Sequence, residues 1–150
     1  DQALLAAEAG EEKEKDPGFL KGRRIMLVED NELNREIAYE LLSESGLIVD
    51  VAENGQDAIK LLGTRPENYY ELIFMDIQMP VMNGYEATAN IRAGKSDYWK
   101  NIPVIAMTAN VFQEDESRAA ECGMSDYVTK PIDMNVIYSV LEKWLRGQKG

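Results

Sequence analysis

Polar side chains that could carry phosphoryl and metal chemistry follow four apolar runs of the sequence. One run stops at Asp76, and the other three stop at Glu29-Asp30, Thr108 and Lys130. A carboxylate at the end of a buried strand is costly unless a positive charge compensates it or a reaction uses it. Because four such ends occur, we expect them to form one site at a common edge of the fold.

Each of these residues has an ordinary structural explanation when it is taken alone. Glu29-Asp30 could cap the first helix and favour its dipole, Lys130 could be a solvated or salt-bridged lysine, and Thr108 could be a cap or turn residue. The coincidence at the ends of four different strands favours the functional interpretation.

The chemistry of the set indicates phosphoryl transfer. Three crowded carboxylates raise one another's pKa values unless a cation is present, and oxygen ligands without His or Cys select Mg²⁺ or Mn²⁺. Lys130 and Thr108 supply a charge and a hydroxyl suited to phosphoryl oxygens. Asp76 would then be the nucleophile that forms an aspartyl phosphate.

Short apolar runs alternate with amphipathic segments along the chain. The strands are predicted over residues 24–29, 47–52, 71–76, 102–107 and 125–129. Five helical patterns lie between and after them: one carries Leu33, Ile37, Leu41 and Leu42, and the last is expected to bury Val136 and its neighbours.

This alternation predicts an α/β fold with a doubly wound, five-stranded parallel sheet and right-handed crossovers. In such sheets, ligands bind beyond the carboxyl ends of the strands. The fold therefore places the polar strand ends on one rim. Residues 94–101 are predicted as a polar loop in which Tyr98 and Trp99 fold back on the core.

Composition and charge restrict the remaining possibilities. The chain has 150 residues, with 16 basic and 27 acidic side chains, a net charge of −11, no histidine and a single cysteine. We expect no nucleic-acid partner, no disulfide and no membrane contact, and a cytoplasmic location is the default. Residues 1–22 are interpreted as a linker or the end of an upstream helix, and 23–150 as one domain.

Four segments give the chain a resemblance to a known family. They are Met26–Asn31 (MLVEDN), Met75–Gly84 (MDIQMPVMNG), Met107–Asn110 (MTAN) and Gly123–Ile132 (GMSDYVTKPI). Together they resemble the receiver domain of two-component response regulators over residues 23 to 146. The pairs Asn34-Arg35 and Asn54-Gly55 look most like receivers attached to hybrid sensor histidine kinases.

The resemblance implies a flavodoxin-like fold with strand order 2-1-3-4-5 and a metal-dependent phosphoacceptor at Asp76. Mg²⁺ would bind Asp30, Asp76 and the backbone carbonyl of Gln78, with Glu29 acting directly or through water. This sequence departs from the commonest pattern of the family at two positions, because Glu29 and Asn83 stand where Asp is more frequent.

The resemblance also implies a switch and a partner. Lys130 would pair with the phosphoryl group and precede a cis peptide bond, while Thr108 would move toward the phosphoryl group and Tyr127 would turn inward. Gln78 and Asn110 would influence how long the phosphate lasts. The phosphoryl donor would be a phosphohistidine on a separate kinase or phosphotransfer domain, and the last two helices offer a surface for a homodimer.

Several alternatives remain open at this point. The domain itself would have at most self-phosphorylation and self-dephosphorylation activity, within a parent histidine kinase or a stand-alone response regulator. Rival classes are a dehalogenase-type phosphatase, a flavin mononucleotide carrier and an interaction module without phosphorylation. The phosphatase would want an Asp-x-Asp pattern after its first strand, and the flavin carrier a Ser/Thr/Gly-rich loop there; the chain has Glu29-Asp30-Asn31 instead.

Overall fold

A computed structural model describes residues 18–79, 82–94, 96–109 and 113–145. Its single sheet has five parallel strands in the order β2-β1-β3-β4-β5, which confirms the predicted fold class and strand order. The strands are β1 Arg24–Val28, β2 Ile48–Ala52, β3 Leu72–Asp76, β4 Val104–Thr108 and β5 Asp126–Thr129. The helices are α1 Glu32–Glu44, α2 Gly55–Thr64, α3 Gly84–Arg92, α4 Asp97–Asn101, α5 Gln113–Cys122 and α6 Met134–Leu145.

Both faces of the sheet are covered, so the central strands are apolar throughout. The residues of β1 after Arg24 and the whole of β3 are buried. Alternate side chains enter two separate cores: Met26 and Ile73 pack with α2 and α3, and Leu27 and Phe74 pack with α1 and α6. Burial on both faces explains why these strands are continuous apolar runs and do not alternate with polar residues.

Strand register brings the polar strand ends to one edge. Asp76 pairs with Met107 of β4, and Thr108 pairs with Thr129, the residue before Lys130. Glu29 follows β1 directly, and its N–H donates to the carbonyl of Ala52 at 3.1 Å. The rim predicted from the sequence is therefore present.

Asparagine caps begin the helices next to this rim. The side chains of Asn31, Asn54 and Asn83 accept hydrogen bonds from the backbone N–H groups three residues later. Asn83 forms a reciprocal capping box with Glu86. Asn83 thus turns the chain into α3.

Helix α3 is fixed at both ends. A Cβ atom at Gly84 would collide with the Asp76 carbonyl and lie 2.9 Å from the Cα atom of Ile77, so only glycine permits this approach. At the other end, the Arg92 guanidinium donates to the carbonyls of Gly123 at 2.9 Å and Trp99 at 3.1 Å. Burial lowers the pKa of Arg92.

The prediction of a polar loop at 94–101 was wrong, because Asp97–Asn101 forms the short helix α4. The chain therefore has six helices among the described residues, one more than predicted. The prediction that the rings fold back is supported: the Tyr98 hydroxyl donates to the Tyr70 carbonyl at 2.7 Å and accepts from its N–H at 2.9 Å. Trp99 packs against the core beside α2 and α3.

Some apolar helix positions face solvent. On α1, Leu33 is 64% exposed and Ile37 is 50% exposed, whereas Leu42 is fully buried. The expectation that Val136 of α6 is buried was also wrong, because it is an exposed side chain. Helical spacing identified the helices, but not which members of each apolar face are covered.

The packed unit includes residues before position 23. Leu20 is buried in the core next to α1 and α6, and Arg23 donates to the Phe19 carbonyl at 2.8 Å and pairs with Glu71 at 2.7 Å. We therefore propose that the domain begins near Phe19. Residues 1–17, the main part of the predicted linker, lie outside the described residues.

Candidate functional site

Three carboxylates converge at the carboxyl edge of the sheet. Ligand oxygens of Glu29, Asp30 and Asp76 lie within 4.8 Å of one another. Glu29 and Asp76 are each 3% exposed, whereas Asp30 is an exposed residue at the mouth of the site. This spacing lets the three groups share one cation, and their oxygen donors suit Mg²⁺ or Mn²⁺.

Lys130 joins the two buried carboxylates. Its Nζ atom lies 3.1 Å from Glu29 Oε1 and 3.1 Å from Asp76 Oδ1. Its N–H donates to the Thr108 carbonyl at 2.8 Å, which ties the residue to β4. The Lys130-Pro131 peptide bond is cis, as the resemblance implied. The ammonium is thus held between the two buried carboxylates.

The pKa of Asp76 is well above that of an ordinary aspartate. Burial, followed by the charge of Glu29, raises its pKa from the ordinary 3.8 to about 7, although Lys130 acts in the opposite direction. Burial lowers the pKa of Lys130, but the charges of Asp76 and Glu29 outweigh it and the net pKa is raised. The carboxyl also accepts a hydrogen bond at Oδ1 from the Gln78 N–H at 3.2 Å. A second cation at this edge would favour the ionised, nucleophilic form of Asp76.

The raised pKa of Asp76 predicts a pH-dependent stability in the absence of metal. Because the folded protein keeps this proton up to about pH 7 and the unfolded chain releases it near 3.8, the stabilising contribution is full below 3.8 and lost as pH rises through 7. Between about pH 5.5 and 8.5, we expect the unfolding free energy to fall by about 1–3 kcal/mol. Urea unfolding in a chelator at several pH values measures it. Asp76→Asn should lose most of this slope; an equal slope in both proteins would contradict the assignment.

The remaining predicted residues lie around this centre. Thr108 ends β4, half-buried, and lines an open cavity of about 450 Å³ together with Gln78, Asn83, Tyr85 and other residues. Tyr127 of β5 pairs with Ala106 of β4, which lies two residues before Thr108. Tyr127 therefore projects to the same face of the sheet as Thr108, and its side chain is exposed. Asn110 lies outside the described residues.

Sequence reasoning missed one residue that contacts the site. Arg35 of α1 donates from Nη1 to the carbonyls of Glu29 at 3.0 Å and Asp30 at 3.4 Å. The sequence offers a signal for it only in the Asn34-Arg35 pair, which by itself assigns no contact. A second cavity, of about 390 Å³, opens beside Lys130 between α1 and the start of α6, with Ile37 and Ile132 in its wall.

A doubly wound sheet of this order with an acidic rim and a lysine defines a signalling module of the receiver type. The family model described as "Response regulator receiver domain" matches residues 25–142. The chain belongs to this family, and it is not a haloacid-dehalogenase-type phosphatase or a flavin carrier.

The chain is similar to receiver regions of sensor histidine kinases and of a relay protein. Hybrid signal transduction histidine kinase L of Dictyostelium discoideum is 35% identical over 143 residues, covering 95% of this chain and 8% of that protein. The receiver domain of a Pseudomonas aeruginosa sensor histidine kinase, solved with a magnesium ion coordinated in its active-site cleft, has a TM-score of 0.72 and 35% identity, covering 82% of this chain and 97% of that one.

A third relative was solved with a relay partner. The co-crystal structure of the Saccharomyces cerevisiae histidine phosphotransfer protein Ypd1 with the receiver domain of Ssk1 matches with a TM-score of 0.75 and 29% identity, covering 86% of this chain and 92% of that one. The chain spans less than a fifth of the curated kinases it matches. Among the described residues, no helix is both long and apolar enough to cross a membrane.

Proposed function

We propose that Asp76 accepts a phosphoryl group from a phosphohistidine on a partner domain, in a histidine-to-aspartate relay. The observation that carries the proposal is the Lys130 ammonium, 3.1 Å from both Asp76 and Glu29. In the transfer, a carboxylate oxygen forms a bond to phosphorus while the bond from phosphorus to the histidine nitrogen breaks. The electron pair of that bond stays with the imidazole.

The residues present fit a divalent cation. Glu29, Asp30, Asp76 and the backbone carbonyl of Gln78 would hold Mg²⁺, or Mn²⁺ in its place, and the ion would neutralise charge on the phosphoryl oxygens. Lys130 orients the Asp76 carboxylate and offsets negative charge on the incoming phosphoryl group. Because the site needs little covalent chemistry from the protein, positioning and charge neutralisation suffice for transfer.

Thr108 and Tyr127 form the proposed switch. The hydroxyl of Thr108 would donate to a phosphoryl oxygen, and Tyr127, exposed here on the same face, would turn toward the space behind Thr108. Phosphorylation would favour the second arrangement by its extra contacts, which is a shift of population between two states. Val136 is exposed on α6, and we propose that the last two helices, α5 and α6, carry signalling or homodimer contacts.

The donor would dock beside α1. Exposed Leu33 and Ile37 stand one turn apart on this helix, and Ile37 lines the cavity that reaches Lys130. A phosphohistidine-bearing kinase or phosphotransfer domain could cover these side chains while its histidine enters the site. Since the chain spans only a small part of its kinase relatives, we propose a hybrid sensor histidine kinase as the parent protein, with a cytoplasmic receiver.

The test compares two phosphoryl donors. With Mg²⁺ and a small acyl phosphate, the protein is expected to gain the mass of one phosphoryl group. With a phosphorylated phosphotransfer domain as donor, Ile37→Asp should lower the transfer rate by roughly tenfold, because it places a charge within an apolar contact. The same variant should be labelled by acyl phosphate at the parent rate, and Tyr39→Asp serves as a control for an exposed apolar residue elsewhere on α1.

The outcomes separate the parts of the proposal. No mass gain with either donor would exclude the phosphoacceptor function. Equal transfer to the parent protein and to Ile37→Asp would retain that function and reject α1 as the docking surface.

A further inference from the structure

The loop that carries Glu29 and Asp30 has an anchor outside the set of metal ligands. The guanidinium of Arg35 donates to the carbonyl oxygens of both residues, at 3.0 Å and 3.4 Å, and its side chain is only 17% exposed. We infer that Arg35 is a positioning residue of the metal site. By holding the two carbonyls on one side of the loop, it directs the two carboxylates to the other. This inference rests on the proposed metal-dependent function.

Of the three carboxylates, that of Asp30 depends most on such an anchor. The carboxylate of Glu29 is held by Lys130 at 3.1 Å and by the Asn31 N–H at 3.2 Å, and Asp76 also contacts Lys130. Within the described residues, no hydrogen bond or ion pair holds the Asp30 carboxylate. Repulsion from two acids within 4.8 Å favours its movement into solvent. Its place at the site therefore depends on the backbone of the loop.

The geometry of Arg35 suits this task. Both bonds come from Nη1, whose two N–H groups have directions fixed by the rigid guanidinium plane, so this one nitrogen can hold two neighbouring carbonyls. The N–H of Arg35 donates to the Asn31 carbonyl at 2.8 Å, and the Asn31 side chain caps α1. The first turn of α1 and the acidic loop are thus joined through both backbone and side chain.

The ion pair between Arg35 and Glu53 contributes less to holding Arg35 in place than its hydrogen bonds to the two carbonyls do. Its Nη2 atom lies 3.9 Å from Glu53 Oε2, and the Glu53 side chain is 68% exposed. An exposed pair at this distance stabilises a protein little. Glu53→Gln therefore removes the ion pair while keeping both bonds to the loop, and it is the matched control.

The charge of Arg35 and its positioning of the loop predict opposite changes in Mg²⁺ affinity when Arg35 is replaced. A positive charge near a cation site disfavours the cation, so if Arg35 acted only through its charge, removing that charge would tighten Mg²⁺ binding. If Arg35 positions the ligands, its removal weakens binding. The sign of the change therefore distinguishes the two roles.

The experiment is a calorimetric Mg²⁺ titration of the parent chain and three variants, without any phosphoryl donor. For Arg35→Gln we expect the Kd for Mg²⁺ to rise roughly tenfold, as for other residues that orient metal ligands. Arg35→Lys should also bind more weakly, because an ammonium on a shorter, flexible stem keeps the charge but lacks the rigid plane that fixes the Nη1 donors against the two carbonyls. Glu53→Gln should bind as the parent does.

Unchanged or tighter binding by Arg35→Gln would overturn the inference. Urea unfolding in a chelator shows whether each variant is folded before metal is added. If Arg35→Gln is unfolded, the Kd of Arg35→Lys for Mg²⁺ is used in its place. A Kd of Arg35→Lys equal to that of the parent would then overturn the inference. A parent chain that binds no Mg²⁺ would instead overturn the proposed function, and the inference with it.

Discussion

Asp76→Asn is expected to abolish phosphoryl labelling, lowering it by at least roughly 100-fold with either donor. The amide has nearly the shape of the carboxylate but is not a nucleophile toward phosphorus. Asp76 is buried at the end of β3, with its carboxylate 3.1 Å from the Lys130 ammonium. Mass spectrometry of the intact protein after incubation with Mg²⁺ and acyl phosphate measures the loss.

The control for this variant is Asp57→Asn, the same chemical change at an exposed aspartate in the first turn of α2. It should be labelled as the parent is. If Asp76→Asn gains the mass of one phosphoryl group at the parent rate, another residue is the acceptor. Fragmentation of the labelled protein would then locate it, with Asp30 the first candidate because it shares the site.

Removal of the divalent cation is expected to lower phosphoryl labelling about as much as Asp76→Asn does. Without the cation, a phosphoryl group must approach three carboxylate oxygens that lie within 4.8 Å of one another, with the Lys130 ammonium in contact with two of the three groups. Labelling should fall by at least roughly 100-fold in a chelator and return when Mg²⁺ is added in excess. Mn²⁺ should restore it as well, because it accepts the same oxygen ligands.

Calcium provides the matched comparison for the metal. It takes oxygen ligands too, but it is larger, prefers six to eight of them and tolerates irregular geometry. We expect Ca²⁺ to restore much less labelling than Mg²⁺. A labelling rate that is the same in chelator and in Mg²⁺ would show that the acidic cluster serves another purpose.

The fold and most of the site could be predicted from sequence for a single physical reason. Buried parallel strands are continuous apolar runs, and a polar residue such as Asp76 or Lys130 marks where each run reaches the rim. Alternation with helices then fixes the parallel sheet, and the sheet fixes which strand ends meet. The convergence of Glu29 and Asp76 on Lys130 follows from that topology.

Other features depend on contacts that no local pattern encodes. Tyr98 and Trp99 lie in a helix because Ser96 caps it and because the Tyr98 hydroxyl bonds to the Tyr70 backbone, 28 residues away in the chain. Leu33 is exposed although its spacing matches that of a buried position. Arg35 reaches two carbonyls, and a backbone carbonyl has no identity in a sequence.

The two fixed ends of α3 give this helix a mechanical role. Its first residue, Gly84, lies directly against the Asp76 backbone, and its last, Arg92, bonds to the turn before β5 and to the Trp99 carbonyl of α4. Nine residues of helix span about 13 Å. We therefore expect a displacement of the Asp76 backbone to move α3 as a unit and to reach the turn before β5.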